Sequence, residues 1–105
     1  MATYIVLNRF TDQGIRNVRE TTNRADAVRE LARKFGVNTK DIYWTLGEYD
    51  VVAVFESPDE ASITALTLAI GQAGNVHTQM LRALNKEEMK GVLAKLAQVR
   101  EAVPA

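Results

Sequence analysis

Trp44-Thr45-Leu46-Gly47-Glu48-Tyr49-Asp50-Val51-Val52-Ala53-Val54-Phe55-Glu56 is the stretch that decides the fold. Turn chemistry at Gly47-Glu48 separates two extended runs, which predicts a hairpin whose second strand opens at Tyr49 and Asp50. That second strand is the telling one. Val51, Ala53 and Phe55 fall on one side of it and Val52 and Val54 on the other, so neither side is polar. A strand that is apolar on both sides belongs to a sheet covered on both sides.

Working outward, Thr3 to Phe10 predicts a strand of the same kind, with Tyr4 and Val6 on one face and Ile5 and Leu7 on the other. Thr11-Asp12-Gln13-Gly14 is a helix start, and Thr21-Thr22-Asn23 predicts a break with a fresh N-cap. From Arg24 to Phe35, Val28, Leu31, Ala32 and Phe35 form one helical stripe, and Gly36 ends it. Asp41 to Leu46 predicts the first strand of the hairpin, with Ile42, Trp44 and Leu46 sharing a face. Ser57-Pro58-Asp59-Glu60 predicts a capping box, with Ser57 as cap and Glu60 closing it, for a helix that runs to Ala73. Asn75 to Leu84 is a fourth strand. Asn85-Lys86-Glu87-Glu88 caps a last helix whose apolar positions are Met89, Val92, Leu93, Leu96 and Val99.

The order β-α-β-β-α-β plus a C-terminal helix is α+β and ferredoxin-like, and residues 1–105 are expected to form one such domain. Two helices cover one face of that sheet. The other apolar face needs a second cover, and a second copy packed sheet to sheet is the economical one. A homodimer or higher homo-oligomer, closing a dimeric α/β barrel, is the expectation.

Composition narrows the chemistry. The 105 residues are 47% hydrophobic and 25% charged, with no cysteine and one histidine. Disulfides and thiolate chemistry are therefore excluded, and a metal site is not expected from a single histidine among scattered carboxylates. Formal net charge is zero, although residues 1–40 are basic and residues 41–85 acidic. The basic residues interleave with acids at helical spacing, as Asp26 does with Arg29, so no nucleic-acid surface is expected. The N-terminal apolar run is too short for a signal peptide or a membrane span, and a cytoplasmic protein with no membrane attachment is the expectation. Gly71 and Gly74 end a helix rather than open one, and there is no Walker or Gly-x-Ser-x-Gly pattern. No cofactor is expected.

Leu46-Gly47-Glu48-Tyr49-Asp50-Val51-Val52, Glu56-Ser57-Pro58-Asp59, Gly74-Asn75-Val76-His77-Thr78 and Leu81-Arg82-Ala83 together resemble the GYD-domain family, named for its Gly-x-Tyr-Asp turn. Phe10-Thr11-Asp12-Gln13-Gly14-Ile15 and Tyr43-Trp44-Thr45 fit the same pattern, so the resemblance covers most of residues 3–90. It implies a dimeric α/β-barrel relative and no particular reaction.

Five residues are candidates for a site. His77 is the one side chain that ordinarily titrates near neutrality, and with Asp50 it is the candidate for proton transfer. The competing role for His77 is a half-exposed strand residue. Tyr49 and Asp50 suit a pocket mouth, yet turn chemistry explains these residue types with nothing left over: Asp50 as acceptor of backbone N–H groups, Tyr49 as a packed ring with a tied hydroxyl. Trp44 and Tyr43 point to opposite faces, one toward a pocket under the helices and one toward the dimer seam. Arg82 falls on an otherwise apolar face, as an anchor for a carboxylate or as an ion-pair partner of Asp50 or Glu56. A small-molecule-binding oligomer with Trp44, Tyr49, Asp50, His77 and Arg82 about its ligand is the leading expectation. A cofactor-independent enzyme of the monooxygenase or isomerase kind and a structural or interaction protein stand beside it.

Overall fold

Strand β1 (Ala2–Phe10) runs through the middle of a four-stranded antiparallel sheet in a computed structural model, which describes residues 1–99. Its neighbours are β3 (Val51–Ser57) and β4 (Val76–Ala83), and β2 (Asn38–Trp44) lies at the edge beyond β3. Helices α1 (Asp12–Arg16), α2 (Thr21–Lys34) and α3 (Glu60–Gln72) supply the crossovers, and α4 (Lys86–Ala97) follows β4. This is the ferredoxin-like α+β arrangement that the strand and helix order demands.

Register assigns the two faces. Tyr4 pairs with Phe55, Val6 with Ala53 and Asn8 with Val51, and these side chains lie under the helices. Tyr4, Val6, Ala53 and Phe55 join Ala32 of α2, Val37, and Ile63 and Leu66 of α3 in the buried core. Burying Phe55 alone contributes on the order of 2–3 kcal/mol. The opposite face carries Ile5 against Val54 and Leu81, and Leu7 against Val52 and Gln79. No helix among the described residues packs on it, and Leu81 and Tyr43 are exposed there.

Local chemistry fixes most boundaries. Thr11 caps α1, its side chain accepting from the Gly14 N–H at 3.0 Å. Helix α2 ends in a Schellman turn: Gly36 takes φ +74° while Val37 N–H donates to Ala32 O at 2.9 Å. Asn85 and Glu88 form the expected reciprocal box at the start of α4, with bonds of 2.7 and 3.1 Å. The Glu88 carboxyl is held below its ordinary value of 4.5, first by the hydrogen bond from Arg82 and then by the Asn85 N–H.

Several expectations change. Strand β2 begins at Asn38 rather than Asp41, because a bulge between Thr39 and Asp41 interrupts the alternation, and it stops at Trp44. Leu46 is fully exposed in the connection, so it shares no face with Ile42 and Trp44. Tyr49 and Asp50 belong to that connection, and β3 opens at Val51. Asp59, not Ser57, caps α3: its carboxylate accepts from Ser62 N–H at 2.7 Å, and that bond holds its pKa below the ordinary value. Ser57 is buried at the end of β3 and its hydroxyl donates to Asp59 O, so no box with Glu60 forms. Thr21 to Asn23 form the first turn of α2 without a side-chain cap, fed by a 3-10 turn over Val18–Glu20.

Helix α4 stands away from the sheet. Met89, Val92, Leu93 and Leu96 are exposed, and the radius of gyration is 16.9 Å against about 13 Å for a compact chain of this length. Among the described residues no helix is long and apolar enough to cross a membrane.

Candidate functional site

The crossover helices and the sheet bound a half-open cavity of about 220 Å³. Its floor is the covered sheet face, from Val6, Asn8 and Phe10 across Ala53 and Phe55 to Ile42 and Trp44; α2 and α3 close it with Val28, Leu31 and Ile70. Trp44 stands at the rim, where its indole N–H donates to Thr21 Oγ1 at 3.0 Å and ties edge strand to helix. Arg24 is beside it, its guanidinium 5.9 Å from the centre of the Phe10 ring. The interior is almost wholly hydrocarbon. Asn8 is the buried polar exception, 6% exposed.

The five sequence candidates do not converge on this cavity. Trp44 lines it, and Tyr43 points to the open face, as opposite positions of one strand require. Tyr49 and His77 lie on the open face instead, in a shallow polar recess with Leu7, Arg9 and Gln79. There the Tyr49 hydroxyl donates to Gln79 Oε1 at 2.9 Å, and Arg9 covers the Tyr49 ring at 5.1 Å while pairing with Glu48. His77 sits opposite Arg9 in the β1–β4 register. Arg82 faces the helix side but at the far end of β4, over the Tyr4 ring at 5.7 Å. Its ion-pair partner is Glu88 at 2.7 Å, not Asp50 or Glu56, because the capping box of α4 presents that carboxylate next to it.

Asp50 is engaged by the backbone. Its Oδ2 accepts from Phe10 N–H at 2.8 Å, and its own N–H donates to Asn8 O at 2.8 Å, which prolongs the β1–β3 pairing into the loop. Asp50→Asn keeps an acceptor for Phe10 N–H and is expected to lose about 1 kcal/mol or less. Asp50→Ala leaves that N–H unpaired and is expected to lose about 1–3 kcal/mol. Urea unfolding of the two variants checks the difference, and equal midpoints would show that the carboxylate does not hold the turn.

Gly47 takes φ +117°, a conformation only glycine adopts freely, although space for a side chain is open. Gly47→Val is therefore expected to lose about 1–3 kcal/mol through backbone strain alone. Glu48→Ala removes an exposed pair with Arg9 and should lose far less. Matching thermal midpoints for the two would refute the strain.

Among the described residues, no three His, Cys, Asp or Glu side chains gather as a metal site would require. Asn8, Phe10 and Arg24 are cavity residues that the sequence candidates omitted. Asn8 had a signal: it is the polar member of the Tyr4, Val6, Asn8 alternation.

The family profile described as GYD domain matches residues 4–93. A Thermus thermophilus protein named glutamine synthetase and cystathionine beta-lyase binding protein is 38% identical over 85 residues, which span 80% of this chain and 90% of the relative. In this chain the turn behind the family's name has a physical role for each residue: positive φ at Gly47, a tied hydroxyl at Tyr49, and a strand-end acceptor at Asp50. The chain belongs to the GYD-domain family.

Proposed function

We propose that this protein is an oligomeric binding module: two copies pair through their open sheet faces, and the assembled unit docks on an enzyme of amino-acid metabolism. The observation that carries the pairing is the uncovered apolar face of Ile5, Leu7, Val52, Val54 and Leu81. A patch of that kind on a small domain marks an interface. The rim is polar, with Arg9, Glu48, Tyr49 and Gln79 at one end, the usual anatomy of a protein contact. Docking on an enzyme is supported by the relative, which by its name binds glutamine synthetase and cystathionine β-lyase. The exposed apolar stripe of α4 offers surface for it.

Purified glutamine synthetase and cystathionine β-lyase from the same organism, passed over the immobilised protein, test the docking. At least one is expected to bind with a dissociation constant below about 10 μM. Binding of neither at tenfold higher concentration would refute the enzyme partner and leave the pairing to be judged separately.

A second reading is favoured by the cavity, which has the apolar walls and few polar anchors of a small-molecule site. In it the oligomer carries a ligand under the helices, with Trp44 on its wall. The cofactor-independent enzyme has less support, since Asp50 is occupied by Phe10 N–H and His77 lies on the other face of the sheet.

A further inference from the structure

We infer that the cavity under the helices takes an amphipathic monocarboxylate the size of a substituted aromatic ring, its hydrocarbon inside and its carboxylate at the mouth on Arg24 and Thr21. This rests on the second reading above, that the cavity is a ligand site.

Thr21, Arg24, Val28 and Leu31 recur at helical spacing on α2, and all four line the cavity. The stripe is polar at its Thr21 end, where Trp44 marks the rim, and hydrocarbon at its Leu31 end. Arg24 is the one charged residue on the wall, and no Asp or Glu lines it. No carboxylate among the described residues pairs with Arg24. Its guanidinium is fixed all the same. Nη1 donates to Asn17 O at 2.7 Å and Nη2 to Gly14 O at 3.3 Å, while Cζ lies 5.9 Å from the centre of the Phe10 ring. The other N–H donors of the guanidinium have no acceptor among the described residues. Thr21 complements it: Oγ1 accepts from the Trp44 indole N–H at 3.0 Å, and its own hydrogen has no acceptor among the described residues.

Donors in want of an acceptor, one of them a cation, select a ligand with an anionic end. A carboxylate suits the planar fork of a guanidinium, and a fork already held by Asn17 and Gly14 loses little freedom in taking it. Arg82, the carboxylate anchor expected from the sequence, is engaged by Glu88 at the far end of β4. One carboxylate is the limit, because a second inside the cavity would lose its water with no partner in return. The remainder of the ligand meets aromatic surface from Phe10, Trp44 and Phe55. A dry cavity of about 150 Å³ admits benzene in another protein. At about 220 Å³ there is room for a ring with a short arm to the mouth.

3-Phenylpropanoate and 3-phenylpropanamide, which match in shape and differ in charge, probe this directly. The intact protein is titrated with each at neutral pH while the fluorescence of Trp44, the chain's one tryptophan, and the amides of β1 are followed. The acid is expected to bind about tenfold tighter than the amide, the usual margin of a charge-assisted hydrogen bond over a neutral one. Equal affinities, or a preference for the amide, would overturn the anionic end while the cavity stands as a ligand site. No response of Trp44 to either compound at millimolar concentration would overturn the ligand-site reading itself. In Arg24→Gln the acid should fall to the affinity of the amide, and a retained preference would overturn Arg24 as its anchor. Because that variant also loses the bonds to Asn17 and Gly14, Ala69→Leu, which fills the cavity from α3, gives a second check. It should abolish binding of the acid, and retained binding would place the carboxylate on the outer surface and overturn the assignment.

Discussion

Gly14→Ala is expected to cost about 2–4 kcal/mol, because it is the one glycine at which an added Cβ would meet main chain closer than 3.0 Å. Gly14 is buried in α1 where the helix crosses the start of β4. A Cβ there would strike the backbone oxygen of Asn75, with the Asn75 carbonyl carbon at 2.9 Å and its Cα at 3.3 Å. Backbone cannot swing aside as the end of a side chain can. This backbone is also clamped: Asn75 O accepts from Thr11 N–H at 3.0 Å, and the Thr11 hydroxyl donates to Gly74 O at 2.6 Å. Gln13 adds bonds to Ala73 O and Asn75 Oδ1 at 3.1 and 3.0 Å. Relief of the clash therefore means overpacking strain, at about 1–3 kcal/mol, plus at least one broken bond from the clamp. Gly71→Ala is the matched control, since nothing lies within 4 Å of its would-be Cβ and it sits inside α3. It should gain about 0.5–1 kcal/mol from helix propensity. Thermal melts should then place Gly14→Ala roughly 10 °C or more below the parent and Gly71→Ala slightly above it. A Gly14→Ala midpoint within a degree or two of the parent would show that the junction of α1 and β4 is not the rigid joint described.

Ile5→Arg should convert the proposed oligomer to monomer while leaving the fold in place. Ile5 is on the central strand, on the open face, between Val54 and Leu81. In a single copy an arginine there extends into water, and a surface change of that kind alters stability by about 0.5 kcal/mol or less. Across a two-fold axis the same change places a guanidinium from each copy in an apolar seam. Burying an unpaired charge costs about 3–5 kcal/mol for each, enough to dissolve an interface of ordinary size. Circular dichroism should be unchanged and the mass should fall to that of one chain, 11.7 kDa. Unchanged mass would mean that the copies meet elsewhere, with α4 the next surface to test.

How far the sequence reached is best judged at particular residues. Val51 to Phe55 form a strand apolar on both sides, which makes the open face legible in the sequence. Gly36 and the Asn85–Glu88 box were legible because each is a local device whose partners are three or four residues away. The α3 cap was misplaced because Ser57 and Asp59 are both good caps. Pairing of Ser57 with Ala2 in the sheet, which no local pattern announces, removes it from the choice. The bulge at Lys40 hid the start of β2, since it breaks the alternation on which strands are recognised.

The site suffered for a related reason. Alternation told which residues of β4 share a face, with His77 and Gln79 on one side and Arg82 on the other, but not which side the helices take. Trp44, Tyr49, His77 and Arg82 were therefore gathered about one pocket, although the sheet divides them. Arg82 shares the cavity's face yet lies at the wrong end of its strand, a distance that only register with Tyr4 reveals. Asn8 was available as a polar residue in an apolar row. Its significance needed the carbonyls of Val51 and Val6 to be placed around it.

The mass of the native protein in solution tests the central claim most directly. Light scattering during gel filtration at micromolar concentration should give twice the 11.7 kDa chain mass or a larger multiple of it. A single species at 11.7 kDa would leave Ile5, Leu7, Val52, Val54 and Leu81 facing water and would contradict the sheet-to-sheet assembly on which the binding-module account stands.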